Sequence, residues 1–240
     1  MQKLGYKRPI SLKNSSRSMV VRCQFADNAT KIALKEWAPA VKALSNGDQT
    51  VLLRKGGIKD PTFKTKAPSF VLFPTTFHTD ASLLKPEYQS KYQADCEIDP
   101  RGQEYLEFDC VAEVTGQFKT TDPKILTALD PLHIYGPDFL EARLRWKPTQ
   151  PLTVLELRAY KLTKPLVVAA REKFWGCFSW IDLDDDGTRE FSSDFPREGK
   201  SFKDLVNQGH MTPALDDDRF VEKQRLCREG LSQLKELETL

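Results

Sequence analysis

The chain has 240 residues, of which 40% are hydrophobic and 29% are charged, and its net charge is +2. These values are typical of a globular protein and exclude a largely disordered chain. No apolar run approaches the roughly 20 residues that a membrane-spanning helix needs, so the sequence predicts no membrane span.

The first 26 residues differ from the rest of the chain in charge. They contain six basic residues and no acidic one, so the remaining chain carries a net charge of −4. They are rich in serine and lack the apolar core of a secretory signal, a composition shared by organelle transit peptides and by disordered basic tails. Val21-Arg22-Cys23 resembles the processing site of plastid precursors. We therefore predict that residues 1–24 are the transit peptide of a nuclear-encoded protein of the plastid stroma (chloroplast), with the mitochondrion as the alternative.

The first predicted elements are one helix and two short strands. Apolar residues at near-helical spacing predict a helix over residues 29–45, with a kink or break at Pro39. The apolar runs at residues 50–54 and 69–73 predict strands, and the prolines between them mark a loop.

The middle of the chain begins with a polar stretch, residues 80–104, that predicts a short helix near residues 86–92. Residues 108–118 then predict a strand with a bulge near Gly116. Residues 123–132 predict a helix, because a proline lies just inside its start.

Polar and apolar side chains alternate strictly over residues 139–147. A period of two predicts a half-buried strand, with Trp146 on the core face and the basic residues on the other. Residues 148–151 predict a turn and residues 152–162 a second strand. The two strands are therefore predicted to pair as a hairpin.

The C-terminal part predicts a terminal helix over residues 216–239, which three aspartates begin. Intermixed helices and strands predict an α+β fold, in which a mixed or mainly antiparallel sheet with flanking helices forms a single compact domain. We assign residues 28–205 to this domain and residues 206–240 to a C-terminal helical extension packed on or beside it.

Several short strings, in order along residues 31–205, together resemble a family of bacterial and plastid proteins known only as a domain of unknown function. The resemblance implies that the strings belong to one domain and agrees with a plastid location, but it implies no activity. The strings are Ala33-Leu-Lys-Glu-Trp-Ala38, Leu52-Leu-Arg-Lys-Gly-Gly-Ile58, Phe70-Val-Leu-Phe-Pro-Thr75 with His78, Leu132-His133, Arg143-Leu-Arg-Trp-Lys-Pro148 and Gly176-Cys-Phe-Ser-Trp180.

Two segments, residues 54–66 and 143–164, concentrate eleven basic residues against two acidic ones. If the hairpin forms, its arginines project from one sheet face, where their planar guanidinium groups suit phosphate oxygens. A solvated, salt-bridged face is the alternative, since Glu141 and Glu156 lie in the same strands. The predicted binding residues are Arg54, Lys55, Gly56, Gly57, Arg143, Arg145, Lys147 and Arg158.

The pair Gly56 and Gly57 after Lys55 either brings backbone N–H groups to an anion or simply makes a tight turn. The spacing matches neither a phosphate-binding loop nor a dinucleotide fingerprint.

A nuclease is the alternative function. Pro137-Asp138 followed by Glu156-Leu-Arg158 resembles the carboxylate pattern of metal-dependent nucleases, with arginine where that pattern has lysine. In this hypothesis Asp138 and Glu156 hold a divalent metal ion, and an attacking water cleaves a phosphodiester.

Other metal and nucleophile patterns are weak, and we predict no metal site. Asp182, Asp184 and Asp186 begin like a calcium loop, but Ser193 stands at the twelfth position, which requires glutamate. The five cysteines are scattered singly, which favours reduced thiols over disulfides or zinc. The three histidines are far apart in sequence and favour structural roles.

The leading hypothesis is a non-enzymatic organelle protein that binds RNA, DNA or another phosphorylated partner through a basic sheet face. The alternatives are the metal-dependent phosphodiesterase and an assembly or scaffold factor that meets a protein complex. The sequence indicates no cofactor and does not decide whether the protein is an enzyme.

Overall fold

The computed structural model describes residues 31–56, 62–76, 80–183 and 200–240. The predicted transit peptide therefore lies outside the described residues. So do Gly57 of the predicted binding set, His78, and Asp184 and Asp186 of the candidate cation loop.

The described chain contains a mixed sheet and short flanking helices, and the predicted α+β class is confirmed. The strands are β1 (Ile32–Trp37), β2 (Val51–Arg54), β3 (Ser69–Thr75), β4 (Tyr105–Thr120), β5 (Leu152–Ala169), β6 (Trp180–Asp182), β7 (Met211–Pro213) and β8 (Glu238–Thr239). The helices are α1 (Ala38–Asn46), α2 (Pro86–Cys96), α3 (Ile125–Ala128), α4 (Pro137–Arg145), α5 (Phe202–Asn207) and α6 (Asp217–Ser232).

The sheet follows the strand order β2-β5-β4-β3-β1-β6, with β7 added to β5 and β8 added to β4. The pairing of β1 with β3 is parallel, and the other pairings are antiparallel. The long strands β4 and β5 form the centre, and their register shifts between Val114 and Gly116, where the sequence predicts a bulge. The predicted short strands at residues 50–54 and 69–73 are confirmed as β2 and β3.

The prediction of a helix over residues 29–45 is wrong in its first half. Residues Ile32–Trp37 form β1 between β3 and β6, and α1 begins at Ala38 with Pro39 in its first turn. Most of this strand is buried, and its apolar residues therefore show no alternation that separates a strand from a helix.

The predicted hairpin is also wrong. Residues Pro137–Arg145 form α4, and β5 pairs with β2 and β4 instead. Pro137 starts the helix at the position where proline is favoured, and Phe139 and Leu140 pack into a buried cluster with α3 and α6. Since both sides of β5 near Leu155 are already occupied by strands, a strand at residues 139–147 would have no edge there to pair with.

One buried cluster extends across five neighbouring strands of the sheet. It contains Leu34 of β1, Leu52 of β2, Phe70 of β3, Cys110 of β4 and Leu155 of β5. These five strands therefore share one core.

The opposite face of β2 and β5 packs on α3, α4 and α6. Residues 206–240 contribute β7, α6 and β8, so they complete the sheet and cover this core. In the described ranges, none of the helices combines the length and the apolar character that crossing a bilayer requires.

Candidate functional site

Arg54 is the last residue of β2, and its side chain reaches β1. Its Nη1 donates a hydrogen bond to Glu36 Oε2 at 2.7 Å, and its Nη2 donates to Ser179 Oγ at 3.0 Å. The ion pair is nearly buried, since only 11% of the Arg54 side chain and 2% of the Glu36 side chain are exposed. The guanidinium also lies 5.2 Å from the ring centroid of Phe63. The charge of Arg54 is therefore largely neutralised by Glu36.

Lys55, the next residue, caps the C-terminal end of α4. Its Nζ donates to the carbonyl oxygens of Leu144 at 3.2 Å, Trp146 at 2.6 Å and Lys147 at 3.1 Å. Burial lowers the pKa of Lys55. A cation at the carbonyl end of a helix stabilises that end. This contact brings the two basic segments of the sequence together at residues 54–55 and 143–147.

Arg143 lies on α4, and its guanidinium is 4.8 Å from the ring centroid of Phe139. Its Nε is shielded from solvent and has no hydrogen-bond partner in the described part of the chain. Burial lowers the pKa of Arg143, while the negative charge of Glu36 opposes this shift and the positive charge of Arg54 adds to it. The carboxylate of Glu36 therefore acts electrostatically on both Arg143 and Arg54.

The exposed end of α4 combines cations with an aromatic ring. The side chain of Arg145 is 79% exposed and pairs with Glu141 at 2.6 Å, one helical turn away. Trp146 is 49% exposed, which corrects the prediction that it faces the core. The Nζ of Lys147 lies 5.7 Å from the Trp146 ring centroid. We call Arg54, Lys55, Arg143, Arg145, Trp146 and Lys147 the β2–α4 surface.

A second aromatic–cation pair borders this surface. The Nζ of Lys35 lies 4.0 Å from the ring centroid of the exposed Phe178 and donates to the carbonyl of Gly176 at 3.0 Å. Burial is the main cause that lowers the pKa of Lys35 to about 8, and the nearby Cys177 opposes the shift. Ser179, which follows Phe178, is the residue that accepts from Arg54.

Arg158 lies apart from the contacts that form the β2–α4 surface. It pairs with Asp217 in the first turn of α6, and its guanidinium lies 5.1 Å from the ring centroid of Phe220. The prediction that Arg143, Arg145 and Arg158 share one sheet face is therefore wrong, because Arg143 and Arg145 lie on helix α4. Gly56, which follows Lys55, is buried and is the last residue of the described range 31–56.

The two carboxylates of the nuclease hypothesis have different surroundings. Asp138 is exposed in the first turn of α4, whereas Glu156 is 1% exposed. Glu156 Oε1 accepts hydrogen bonds from Thr115 at 2.8 Å, Gln224 at 3.0 Å and Arg228 at 3.0 Å. Glu156 thus holds α6 against the sheet. Across the described ranges, no three His, Cys, Asp or Glu side chains cluster to hold a metal ion.

The remaining titratable residues of the sequence analysis have structural positions. His133 is buried beside Tyr135, with ring centroids 5.4 Å apart. Asp182 is the last residue of β6, where it lies opposite Ile32 of β1 in the sheet. The described cysteines are free, in agreement with the prediction of reduced thiols.

Sequence reasoning missed Glu36 and Ser179, the two partners of Arg54. A glutamate inside an apolar strand is a usable signal, because buried carboxylates are normally paired. That signal was hidden here, because the segment is predicted to be a helix and not a buried strand. Ser179 carries no comparable signal, and only the three-dimensional contact identifies it.

The chain is similar to solved structures of the ASCH protein of Zymomonas mobilis. A point mutant of that protein is 14% identical, with a TM-score of 0.39, and the match covers 65% of this chain and 91% of that chain. A second structure, of ASCH from Zymomonas mobilis without a stated mutation, is 12% identical, with a TM-score of 0.34, and the match covers 60% of this chain and 90% of that chain. No curated protein matches the chain significantly. The sequence profile of a family described as "Domain of unknown function (DUF1802)" matches residues 33–208 and confirms the predicted resemblance, so the chain belongs to this family.

Proposed function

We propose that the protein binds single-stranded nucleic acid through the β2–α4 surface. The observation that carries this proposal is the contact of Lys55 Nζ with the carbonyls of Leu144, Trp146 and Lys147. It joins two basic segments, far apart in sequence, around one exposed tryptophan. Phosphate oxygens bind such cations, and bases stack on such rings.

The charge balance of the surface supports an anionic ligand. The carboxylate of Glu36 is paired with Arg54, and that of Glu141 is paired with Arg145. Arg143 forms no ion pair with a described carboxylate and adds a positive charge that these two acids do not neutralise. A surplus of positive charge beside a helix end is the arrangement that attracts nucleic-acid backbones.

The exposed ring of Trp146 supports a single strand in preference to a duplex. Bases in a duplex are stacked on one another, whereas an unpaired base can stack on an aromatic side chain. Such stacking contributes about 1–3 kcal/mol per base. The neighbouring Lys147 is placed to contact a phosphate next to the stacked base.

We further propose that the nucleic acid is that of the plastid, or of the mitochondrion as the alternative, because of the basic, serine-rich leader. A fusion of residues 1–24 to a fluorescent protein, expressed in plant cells, tests this location. Accumulation of the fusion in plastids supports it, and accumulation in the cytosol contradicts it.

Fluorescence anisotropy with labelled single-stranded RNA and DNA tests the binding proposal, with salt varied from about 50 to 200 mM as electrostatic binding requires. The informative variant is Trp146→Ala, for which we expect a loss of about 5- to 100-fold in affinity, as the energy of stacking predicts.

The matched control for charge is Arg225→Gln. Arg225 is exposed on α6, where it pairs with Glu222 and Glu229. We expect this variant to bind within twofold of the unmodified protein, while Arg143→Gln with Arg145→Gln binds at least tenfold more weakly. Absence of binding at 50 mM salt would contradict the proposal, and so would equal affinities for Trp146→Ala and the unmodified protein.

A further inference from the structure

The guanidinium of Arg54 is hydrogen-bonded to the carboxylate of Glu36. The guanidinium of Arg143 lies over the ring of Phe139, whose centroid is 4.5 Å from that of Trp37, the residue that follows Glu36. Both oxygens of Glu36 are occupied, because Oε2 accepts from Arg54 and Oε1 accepts from the backbone N–H of Trp37 at 2.8 Å. Burial raises the pKa of Tyr135, whose hydroxyl therefore stays neutral, and the charges of Glu36, Arg54 and Arg143 also act on it. The four side chains Glu36, Arg54, Tyr135 and Arg143 together carry a charge of +1.

Two hydrogen-bond donors of this cluster have no acceptor among the described residues. The first is Arg143, whose Nε is unpartnered and whose terminal nitrogens form no hydrogen bond in the described part of the chain. The second is Ser179, whose Oγ accepts from Arg54, so that its own hydroxyl proton remains to be donated. Both residues are half-buried.

Unpartnered, partly desolvated donors around a surplus positive charge require an explanation, and an anion supplies it. The ring of Phe139 holds the guanidinium of Arg143 in place without using its N–H groups. We infer that Arg143, with Arg54 and Ser179, forms a site for a phosphate monoester dianion. The inference rests on the proposed function and narrows it, because it identifies the free phosphorylated end of a strand as the recognised group.

A monoester suits this site better than an internal phosphodiester. A monoester carries about −1.5 to −2 charges at neutral pH and three free oxygens. An internal diester carries one charge and continues into a nucleotide on both sides. A half-buried site that offers two guanidinium groups and a hydroxyl matches the larger number of free oxygens of a monoester.

The test compares ligands that differ at the terminal phosphate, with the full chain as the protein. Isothermal titration is performed with inorganic phosphate against chloride at equal ionic strength, and with one oligonucleotide carrying either a 5′-phosphate or a 5′-hydroxyl. We expect phosphate to bind, and the 5′-phosphorylated strand to bind at least tenfold more tightly than the 5′-hydroxyl strand. The 3′-phosphorylated strand tests the opposite end in the same way.

The variant Arg143→Gln is expected to lose at least tenfold in affinity for phosphate. Its control is Arg225→Gln on α6, which is exposed, is paired with Glu222 and Glu229, and should stay within twofold. Arg143→Lys keeps the charge but loses the planar fork, and we expect an intermediate loss that shows the effect is not one of misfolding. Melting temperatures of all three variants accompany the titrations.

The outcomes separate the two proposals. If single strands bind but the 5′-phosphate, the 3′-phosphate and inorganic phosphate add nothing, the monoester site is overturned and the proposed function remains. If phosphate binds through Arg143 but no strand binds, the anion site remains with a phosphorylated small molecule as its ligand, and the nucleic-acid proposal is overturned. Equal affinity of Arg143→Gln and Arg225→Gln for phosphate overturns the assignment to Arg143.

Discussion

Arg54 at the end of β2 donates a hydrogen bond of 2.7 Å to Glu36 of β1, although three strands separate β2 from β1 in the sheet. In a flat sheet, four intervals of strand spacing would hold the two strands about 19 Å apart. The ion pair therefore exists because the sheet curls until β2 and β1 approach each other. It also places the candidate site at the point where these two strands meet.

Breaking this pair should strongly destabilise the protein. Glu36→Gln removes the negative charge beside Arg54 and Arg143 while keeping the shape, and we expect a loss of about 3–5 kcal/mol in the free energy of unfolding. Urea titration measures it. The matched control is Glu141→Gln in the exposed pair with Arg145, which should cost at most about 0.5 kcal/mol. Similar losses for the two variants would show that burial of the Arg54–Glu36 pair has no energetic consequence.

Removing the cap of α4 should loosen the helix end that carries Trp146. Lys55→Met keeps most of the apolar stem but loses the hydrogen bonds to three carbonyls, and we expect a loss of about 1.5–3 kcal/mol in stability. Amide hydrogen exchange should become faster in α4 than in α6. Lys64→Met, at an exposed loop position, is the control and should leave both quantities unchanged. Unchanged exchange in α4 after Lys55→Met would argue against a capping role.

Stability should fall in mild acid because of His133. Burial is the main cause that lowers the pKa of His133 from 6.5 to about 3, and the nearby charge of Lys85 adds to the shift. Between these two values the unfolded chain binds a proton that the folded protein does not, so stability rises with pH across this window. The contribution approaches 1.4 kcal/mol per pH unit at its steepest.

Urea unfolding at pH 7, 6 and 5 measures the effect of His133, with His133→Gln as the comparison. The difference in stability between the variant and the unmodified protein should shift in favour of the variant as the pH falls. Parallel pH profiles for the two proteins would mean that His133 does not resist protonation in the fold.

Arg158 should not contribute to nucleic-acid binding, in contrast to the expectation from sequence. Its guanidinium is paired with Asp217 at the start of α6 and lies beside Phe220, away from the contacts that join β2 to α4. Arg158→Gln should therefore retain affinity within twofold, while Arg143→Gln loses affinity. Anisotropy titrations of the two variants in one buffer make the comparison, and a comparable loss for both would return Arg158 to the binding surface.

The sequence correctly predicts the elements in which the local residue pattern and the tertiary packing favour the same conformation. Strands β2 and β3 are short apolar runs between turns, and the bulge near Gly116 occurs where a glycine interrupts β4. The start of the terminal helix is confirmed, since α6 begins at Asp217 with Asp216 as its cap, but its predicted end is wrong, because the helix ends at Ser232 and Glu238–Thr239 form β8. In each case the same residues determine both the local conformation and the packing.

The sequence could not predict α4 as a helix, since its residues satisfy two periodicities. Leu140 and Leu144 fit a strand that alternates, and they also fit one face of a helix at a spacing of four. The choice was made by the tertiary structure, in which β5 is already paired on both sides and Phe139 and Leu140 fill a cluster beside α6.

By itself, the sequence determined the α+β class, the family and the existence of two basic segments, because these depend on composition, on short motifs and on local pattern. The tertiary structure decided that residues 54–55 meet residues 143–147, that Glu36 neutralises Arg54, and that Arg158 belongs to another part of the surface. The physical reason is that a charge is neutralised through space. Which carboxylate an arginine meets depends on how the sheet curls and where a helix ends. The residues near that arginine in the sequence determine neither.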